Sequence, residues 1–411
     1  MYGNSNNLTL PLMSTCLEVK SNAFISVGSA GVQGLRGGME DAHAVVLHPH
    51  SAFLGIFDGH AGHECSAYIS EKLSKAMQEK APPYMDDELT TLCETIDNMF
   101  LETQSNCVAG STGTFAVIES SGDRTYTVTV ANVGDSRIVL YNLSSGTVIP
   151  MTRDHKPDVP EEKNRIEMAG HYVEIGRVDG ILAVSRAFGD SPFKEGDKPH
   201  SVIATPEIRR MQVTLAPGEL VVVMAACDGL YEATLDDTEI LHLLKSFPPQ
   251  YDAAILAYQL INRAIHSGSS DNVSVTVALL GLETPQAPYQ CFLPGAFRKT
   301  QDENFVRAYC AWFQAHGLPS LEQALMHRRS LFQDRQILQS FLSADDDDAL
   351  FDPQVDLKEL ADELLAPLSG IAFICTVCRV VGSRKVLKSV RDTVESFCPM
   401  CNDDTKYHRC R

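Results

Sequence analysis

The sequence predicts an α+β protein with layered sheets, and three features carry that expectation. Short apolar runs alternate with a period of two residues, as over 126–130 and 273–277, the pattern of half-buried strands. Longer stretches are amphipathic with the helical period. These helical stretches fall in adjacent pairs rather than one after each strand, which disfavours a doubly wound parallel sheet and favours helices laid on antiparallel layers.

Taken in order, residues 1–22 are polar and weakly patterned and read as a lead-in or an edge strand. A main domain over 23–284 follows. Its strand candidates are 44–47, 52–57, 125–131, 136–140, 220–227 and 273–280, and its helix candidates are 63–79, 87–101, 160–169, 237–245 and 252–265. Pro285, Pro288 and Pro294 break the pattern and mark a linker over 285–299. Residues 300–370 read as a helical extension, in which Phe305, Tyr309 and Phe313 recur at four-residue spacing. Ser320 with Gln323, and Asp356 with Glu359, fit capping boxes. The acidic run 345–348 reads as a solvated loop, because a calcium loop needs spaced ligands and a glycine. Residues 371–411 form a cysteine-rich end module.

Composition narrows the function classes. The 411 residues carry 34 basic and 53 acidic side chains, a formal charge of −19, which opposes nonspecific binding to nucleic acid or anionic membranes. The imbalance is uneven, since 371–411 hold eight basic against four acidic residues. The longest apolar run, 220–227, is eight residues, against the ~20 that a membrane helix needs. The first residues lack a basic segment followed by an apolar one, and Tyr2 excludes N-myristoylation. The expectation is a protein of the cytoplasm, the nucleus or both, without nucleic-acid or membrane partners. Twelve cysteines in that setting read as reduced thiols.

The chemistry lies in where the acidic residues fall. Asp58 follows the apolar run that ends at Phe57, Asp135 follows 125–131 through a turn, Asp228 follows 220–227, and Asp271 directly precedes 273–280. Glu40 and Asp41 stand just before 44–47. Carboxylates at strand ends on one edge of a layered sheet can converge in one cleft, where each raises the pKa of the others unless a cation intervenes. Oxygen ligands select hard ions, so Mg²⁺ or Mn²⁺ is the natural counterion. Taken singly, each Asp reads equally as a turn cap after a strand.

Eight motifs in order then carry a family resemblance: Arg36-Gly-Gly-Met-Glu40-Asp41-Ala-His43, Phe57-Asp58-Gly59-His60-Ala-Gly62, Gly110-Ser-Thr-Gly-Thr114, Ala131-Asn-Val-Gly-Asp135-Ser-Arg137, Asp154-His-Lys-Pro157, Ala183-Val-Ser-Arg-Ala-Phe-Gly-Asp190, Ala226-Cys-Asp228-Gly229 and Ser270-Asp271-Asn272-Val-Ser274. Over about 23–282 the chain resembles the metal-dependent type 2C protein serine/threonine phosphatases. The resemblance implies a central β-sandwich of two antiparallel sheets flanked by helix pairs, and phosphoprotein substrates. It also implies that Asp58 bridges two Mg²⁺ or Mn²⁺ ions. Glu40 and the Gly59 carbonyl would complete one position, and Asp228 and Asp271 the other, with Asp41 behind them holding a bound water. Asp135 and Asp228 match a weaker third position, whose remaining ligand is usually Asp and is here Glu232. Tyr231 replaces a usual Trp, a packing change.

Two such cations lower the pKa of a shared water and stabilise an in-line displacement at phosphorus. Arg36 fits a bidentate phosphate clamp, and His60 the acid that protonates the leaving alkoxide. Taken alone, Arg36 reads as a surface cation and His60 as a hydrogen-bonded support. His43, Arg186 and Asp190 are expected to be structural or to support the site residues from behind. The different-class alternative is a catalytically inactive scaffold that binds phosphoproteins; such relatives lose metal carboxylates, and here Glu40, Asp58, Asp228 and Asp271 are all present.

The end module has its own pattern. Cys375-Thr-Val-Cys378 and Cys398-Pro-Met-Cys401 are separated by 19 residues, a spacing that closes a structural zinc shell. The other reading is two metal-free turns. With zinc bound the segment offers a surface for a protein partner. Cys378 and Arg384 also match the bare C-x5-R spacing of cysteine-dependent phosphatases, but Val377 stands where that loop has His.

Overall fold

The computed structural model describes residues 7–104, 107–194, 199–232, 235–246, 252–295, 297 and 302–334, together with the short strands Phe373–Cys375, Val381–Gly382 and Tyr407–Arg409. The chain divides into two compact units, one made of Leu17–Val32 and Gly38–Cys291, the other of Met1–Cys16, Gln33–Gly37 and Phe292–Arg411. The boundary between Cys291 and Phe292 falls inside the expected linker, which itself contains the strand Tyr289–Leu293.

The larger unit is built on two antiparallel sheets. In the first the strand order is Val148–Pro150, Arg137–Asn142, Val221–Ala226, Val273–Leu280, Ile25–Val32 and Thr15–Ser21, with Tyr289–Leu293 at the edge. In the second it is Glu207–Thr214, Thr125–Val133, Gly113–Gly122, Ser51–Phe57 and Ala42–His48. Val221–Ala226 and Val273–Leu280 are buried along their whole length, as their continuous apolar sequences require. Ile25, Val27, Val223 and Ala225 of the first sheet meet Leu54, Ile56, Val128 and Val130 of the second in one core. Each fully buried side chain of this size contributes about 1.5–3 kcal/mol.

Helices cover the outer faces. Helices α1 (Glu64–Glu79) and α2 (Asp86–Thr103) bury Ile69, Leu73 and Phe100 against Phe53, Phe115 and Val133 of the second sheet. Helix α3 (Pro160–Met168) supports a small cluster of Ile166, Val178, Val184, Ala187 and Val202. After α4 (Asp237–Ser246), α5 (Ala253–His266) packs on Ile25–Val32 and Val273–Leu280. The Asp252 carboxylate caps α5 by accepting from the Ile255 N–H at 2.7 Å.

The α+β reading with antiparallel sheets therefore stands, and every strand and helix expected in the main domain is present with ends shifted by a few residues. Thr15–Ser21 lies in the stretch read as a lead-in or an edge strand. Other strands escaped the sequence reading, the short Val148–Pro150 and Tyr289–Leu293 among them. Ile25–Val32 and Gly113–Gly122 are buried on both faces for most of their length, so they show no alternation. Glu207–Thr214 is polar and borders the second sheet.

In the second unit, α6 (Glu303–Ala315) and α7 (Leu321–Asp334) follow the expected pattern. Phe305, Tyr309 and Phe313 are buried on one face with Leu8, Leu12 and Phe297. Asp302 caps α6 through the Asn304 and Phe305 N–H groups, and Ser320 accepts from the Gln323 N–H at 3.2 Å. The expected cap at Asp356 and Glu359 and the acidic run 345–348 lie outside the described residues.

Candidate metal centre

The strand Ser51–Phe57 ends at Asp58, where the chain turns into the two-residue strand Gly59–His60. Thr112 fixes that turn: its hydroxyl accepts from the Asp58 N–H at 3.0 Å, and its own N–H donates to the Asp58 carbonyl at 2.9 Å. Asp228 opens a short turn directly after Cys227, at the end of Val221–Ala226, and Asp135 sits in the turn after Thr125–Val133. Carboxylate oxygens of Asp58, Asp135 and Asp228 lie within 4.8 Å of one another. A second group, Asp41, Asp58 and Cys227, is equally close. Strand ends thus do converge, with Asp58 common to both groups.

Glu40 and Asp271 border these groups without joining either. The Glu40 N–H donates to Asn272 Oδ1 at 2.8 Å, and the Asn272 amide donates to the Gly38 carbonyl at 2.9 Å, so the residue after Asp271 pins the 38–40 segment. Gly59 lies so close to that segment that a Cβ there would fall 2.2 Å from the Glu40 carbonyl oxygen. Only glycine permits this approach. Asp41, expected behind the ions, lies within 4.8 Å of Asp58 and of Cys227 Sγ.

The electrostatics are those of a site short of positive charge. Burial, followed by the charges of Asp41, Asp228, Asp135 and Asp271, holds the Asp58 carboxyl well above the ordinary carboxylate range. Burial likewise raises Asp41 to about 7, and burial with Asp135 and Asp271 raises Asp228 to about 6. Asp41 Oδ2 is buried without a hydrogen-bond partner. The all-carboxylate group of Asp58, Asp135 and Asp228, with the orphaned Asp41 oxygen beside Asp58, fits hard divalent cations.

His60 is held by Asp190, a residue that the sequence reading took as structural or supporting. Its Nε2 lies 2.8 and 2.9 Å from the two oxygens of Asp190. Burial pushes the imidazole pKa down, but the Asp190 carboxylate outweighs burial and the net direction is upward. A three-stranded ribbon sets this pair: Gly59–His60 and Phe188–Gly189 both pair with Gly110–Ser111. A Cβ on Gly110 would fall 2.3 Å from both His60 Nε2 and Asp190 Oδ2. Behind the ribbon, Asp97 of α2 accepts from the Gly189 N–H and from the Lys194 ammonium, both at 2.7 Å. Nothing in sequence separation joins Asp97, Asp190 and His60, and only the ribbon brings them together.

The other named residues are placed as follows. Arg186 binds Glu162, whose carboxyl burial would raise but which Arg186 and Arg165 hold at about 2. His43 lies on Ala42–His48 with its pKa lowered by burial. Tyr231 receives the Arg137 guanidinium at 4.4 Å over its ring. Arg36 belongs to the second unit, where the Gln33 side-chain amide donates to its carbonyl at 2.9 Å. Cys375 lies in the strand Phe373–Cys375, while Cys378, Arg384, Cys398 and Cys401 lie outside the described residues. Among the described residues seven cysteines stand outside any disulfide.

A family model described as protein phosphatase 2C matches residues 25–273, more than half of the chain. The chain belongs to the protein phosphatase 2C family. Among curated relatives, probable protein phosphatase 2C 59 of Oryza sativa subsp. japonica is 35% identical over 269 residues, covering 62% of this chain and 76% of that protein. Protein phosphatase 1B of Homo sapiens is 32% identical over 273 residues, covering 61% of this chain and 56% of that protein. Among solved structures, a phosphatase from a pathogenic strain of Toxoplasma gondii superposes with a TM-score of 0.59 at 27% identity, over 68% of this chain and 99% of that one. A C. elegans sex determining protein gives 0.52 at 27% identity, over 63% of this chain and 65% of that one. The family assignment agrees with the motif resemblance. No helix among the described residues is long and apolar enough to cross a membrane.

Proposed function

We propose that this protein phosphatase 2C member is an active Mg²⁺- or Mn²⁺-dependent enzyme that hydrolyses phosphoserine and phosphothreonine in protein substrates. The observation that carries the reading is the convergence of Asp58, Asp228, Asp135 and Asp41, short of positive charge, one residue pair from the His60–Asp190 couple. Asp58 would serve both ions, with Glu40 and the Gly59 carbonyl holding one and Asp228 and Asp271 the other. When bound, the ions supply charge for the phosphoryl oxygens and lower the pKa of the attacking water. The chain's own part is to hold a proton: the Asp190 carboxylate favours the protonated imidazole of His60, the form that can donate to the departing serine or threonine oxygen. Arg36 takes the phosphate on the strength of its motif, where a planar guanidinium binds two oxygens at once.

The test is release of phosphate from a phosphothreonine peptide by the full chain in Mn²⁺ and after EDTA. Turnover that EDTA abolishes supports the proposal. Absence of turnover with phosphopeptide binding retained would mark an inactive scaffold instead. For the end module we propose one structural zinc on Cys375, Cys378, Cys398 and Cys401, a reading that rests on their spacing. Elemental analysis without zinc, and four freely titrating thiols, would reject it.

A further inference from the structure

The third cation position of the resemblance does not fit the residues that this chain supplies. It needs Asp135, Asp228 and residue 232 to face one ion, yet two of these three are engaged elsewhere. The Lys156 ammonium forms an ion pair with Asp135 Oδ2, and Asp135 is only 4% exposed. Glu232 accepts from the Ser270 N–H at 3.0 Å and lies 3.4 Å from the Ser269 and Ser270 hydroxyls. Among the described residues Glu232 joins neither carboxylate group. Its extra methylene, compared with Asp, is what reaches the 269–270 turn.

We propose that the Lys156 ammonium permanently replaces the third divalent cation, so that this phosphatase carries a binuclear centre closed by a covalently attached charge. The backbone on both sides of Lys156 is built to keep it there. Asp154 is fixed by a bidentate pair with Arg137, Nε–Oδ1 2.9 Å and Nη2–Oδ2 2.8 Å. His155 binds the Asp135 turn twice: its N–H donates to the Gly134 carbonyl at 3.0 Å, and its Nδ1 accepts from the Gly134 N–H at 3.1 Å. Lys156 is therefore anchored to the same turn that carries Asp135. An ammonium is a compact point charge that needs no fixed coordination shell, which suits a position where Asp135 pairs with it directly and the charges of Asp228 and Asp154 add to the attraction. Glu232 meanwhile ties the Asp228 turn to the residues just before Asp271, stiffening the ligands of the remaining ions.

The inference rests on the binuclear reading above, and one experiment separates the two: Mn²⁺ bound per full-length chain by equilibrium dialysis at neutral pH, with free ion read by electron paramagnetic resonance. The wild type is expected to bind about two ions, with no third into the millimolar range. Lys156→Gln is expected to gain a third, weaker ion, whereas Lys156→Arg, which keeps the charge, gains none. Glu232→Asp alone is expected to gain none either, because Lys156 remains, and this variant keeps the test decisive should Lys156→Gln fail to fold. A third millimolar ion in the wild type or in Glu232→Asp, or no gain in a folded Lys156→Gln, would overturn the inference while leaving two ions intact. A wild type that binds no Mn²⁺ would overturn the binuclear reading and this inference with it.

Discussion

His60 and Asp190 show what single residues add to a carboxylate cluster. A general acid contributes roughly 10²–10⁴-fold when it protonates a poor leaving group. His60→Ala is therefore expected to slow a phosphothreonine peptide by about 100-fold or more and an aryl phosphate far less, since an aryl oxide leaves unprotonated. Equal losses on both substrates, measured as kcat, would remove His60 from the acid role. Asp190 raises the His60 pKa, so Asp190→Asn is expected to move the alkaline limb of the pH–rate profile to lower pH. An unmoved limb would leave Asp190 a merely structural residue. The sequence made His60 legible because it sits two residues from Asp58 in one motif. It left Asp190 as a structural or supporting residue without a named partner, since its side chain acts on a residue 130 positions away. The closeness of Asp41 to Asp58 was hidden for a related reason, since standing beside Glu40 in sequence says nothing of the distance to Asp58.

At the scale of elements, the short ribbon of Gly59–His60, Gly110–Ser111 and Phe188–Gly189 positions the acid, and α2 buttresses it. Asp97 and Lys194 form a buried ion pair at 2.7 Å behind it. Removing one partner leaves an uncompensated buried charge, so Asp97→Ala is expected to cost about 3–5 kcal/mol in urea unfolding. A loss under about 1 kcal/mol, the range of a surface pair, would contradict the buttress. Gly110→Ala is expected to keep the fold but cut kcat, because its Cβ collides with both His60 and Asp190. Long elements were readable because their patterns are local: Val273–Leu280 and α5 have one apolar signature each. The ribbon was unreadable because two-residue strands have no period at all. Ile25–Val32 was hidden by its Gly28, Ser29 and Gly31, small residues that pack on both sides without alternating.

For the whole molecule, the acidic balance concentrates where a cation is needed. Asp41 and Asp228 have folded-state pKa values of about 7 and 6, above the ~4 of an unfolded carboxyl. Raised values mean that their favourable contribution is present in acid and lost as pH rises through the folded values. The ion-free protein is therefore expected to lose stability between about pH 4 and pH 7. Mn²⁺ should then raise Tm more at pH 7.5 than at pH 5, and a pH-independent increment would contradict the charge deficit. In the second unit, Trp312 of α6 donates to Gln33 Oε1 at 3.3 Å, and Gln33 holds the Arg36 carbonyl. Truncation after residue 291 would also uncover Leu8 and Leu12. It is thus expected to reduce solubility, measured as the soluble fraction of the truncated chain beside the full one. The central claim is that Asp58 joins two activating cations, and the most direct measurement takes Mn²⁺ content and turnover of a phosphothreonine peptide on the same samples of wild type and Asp58→Asn. Partners that merely support a metal ligand cost 10–100-fold, so losing the shared ligand should cut activity by at least about 100-fold. Asp58→Asn should also lose at least one bound ion while keeping the wild-type circular dichroism spectrum. Unchanged ion content with wild-type turnover in Asp58→Asn would contradict the account.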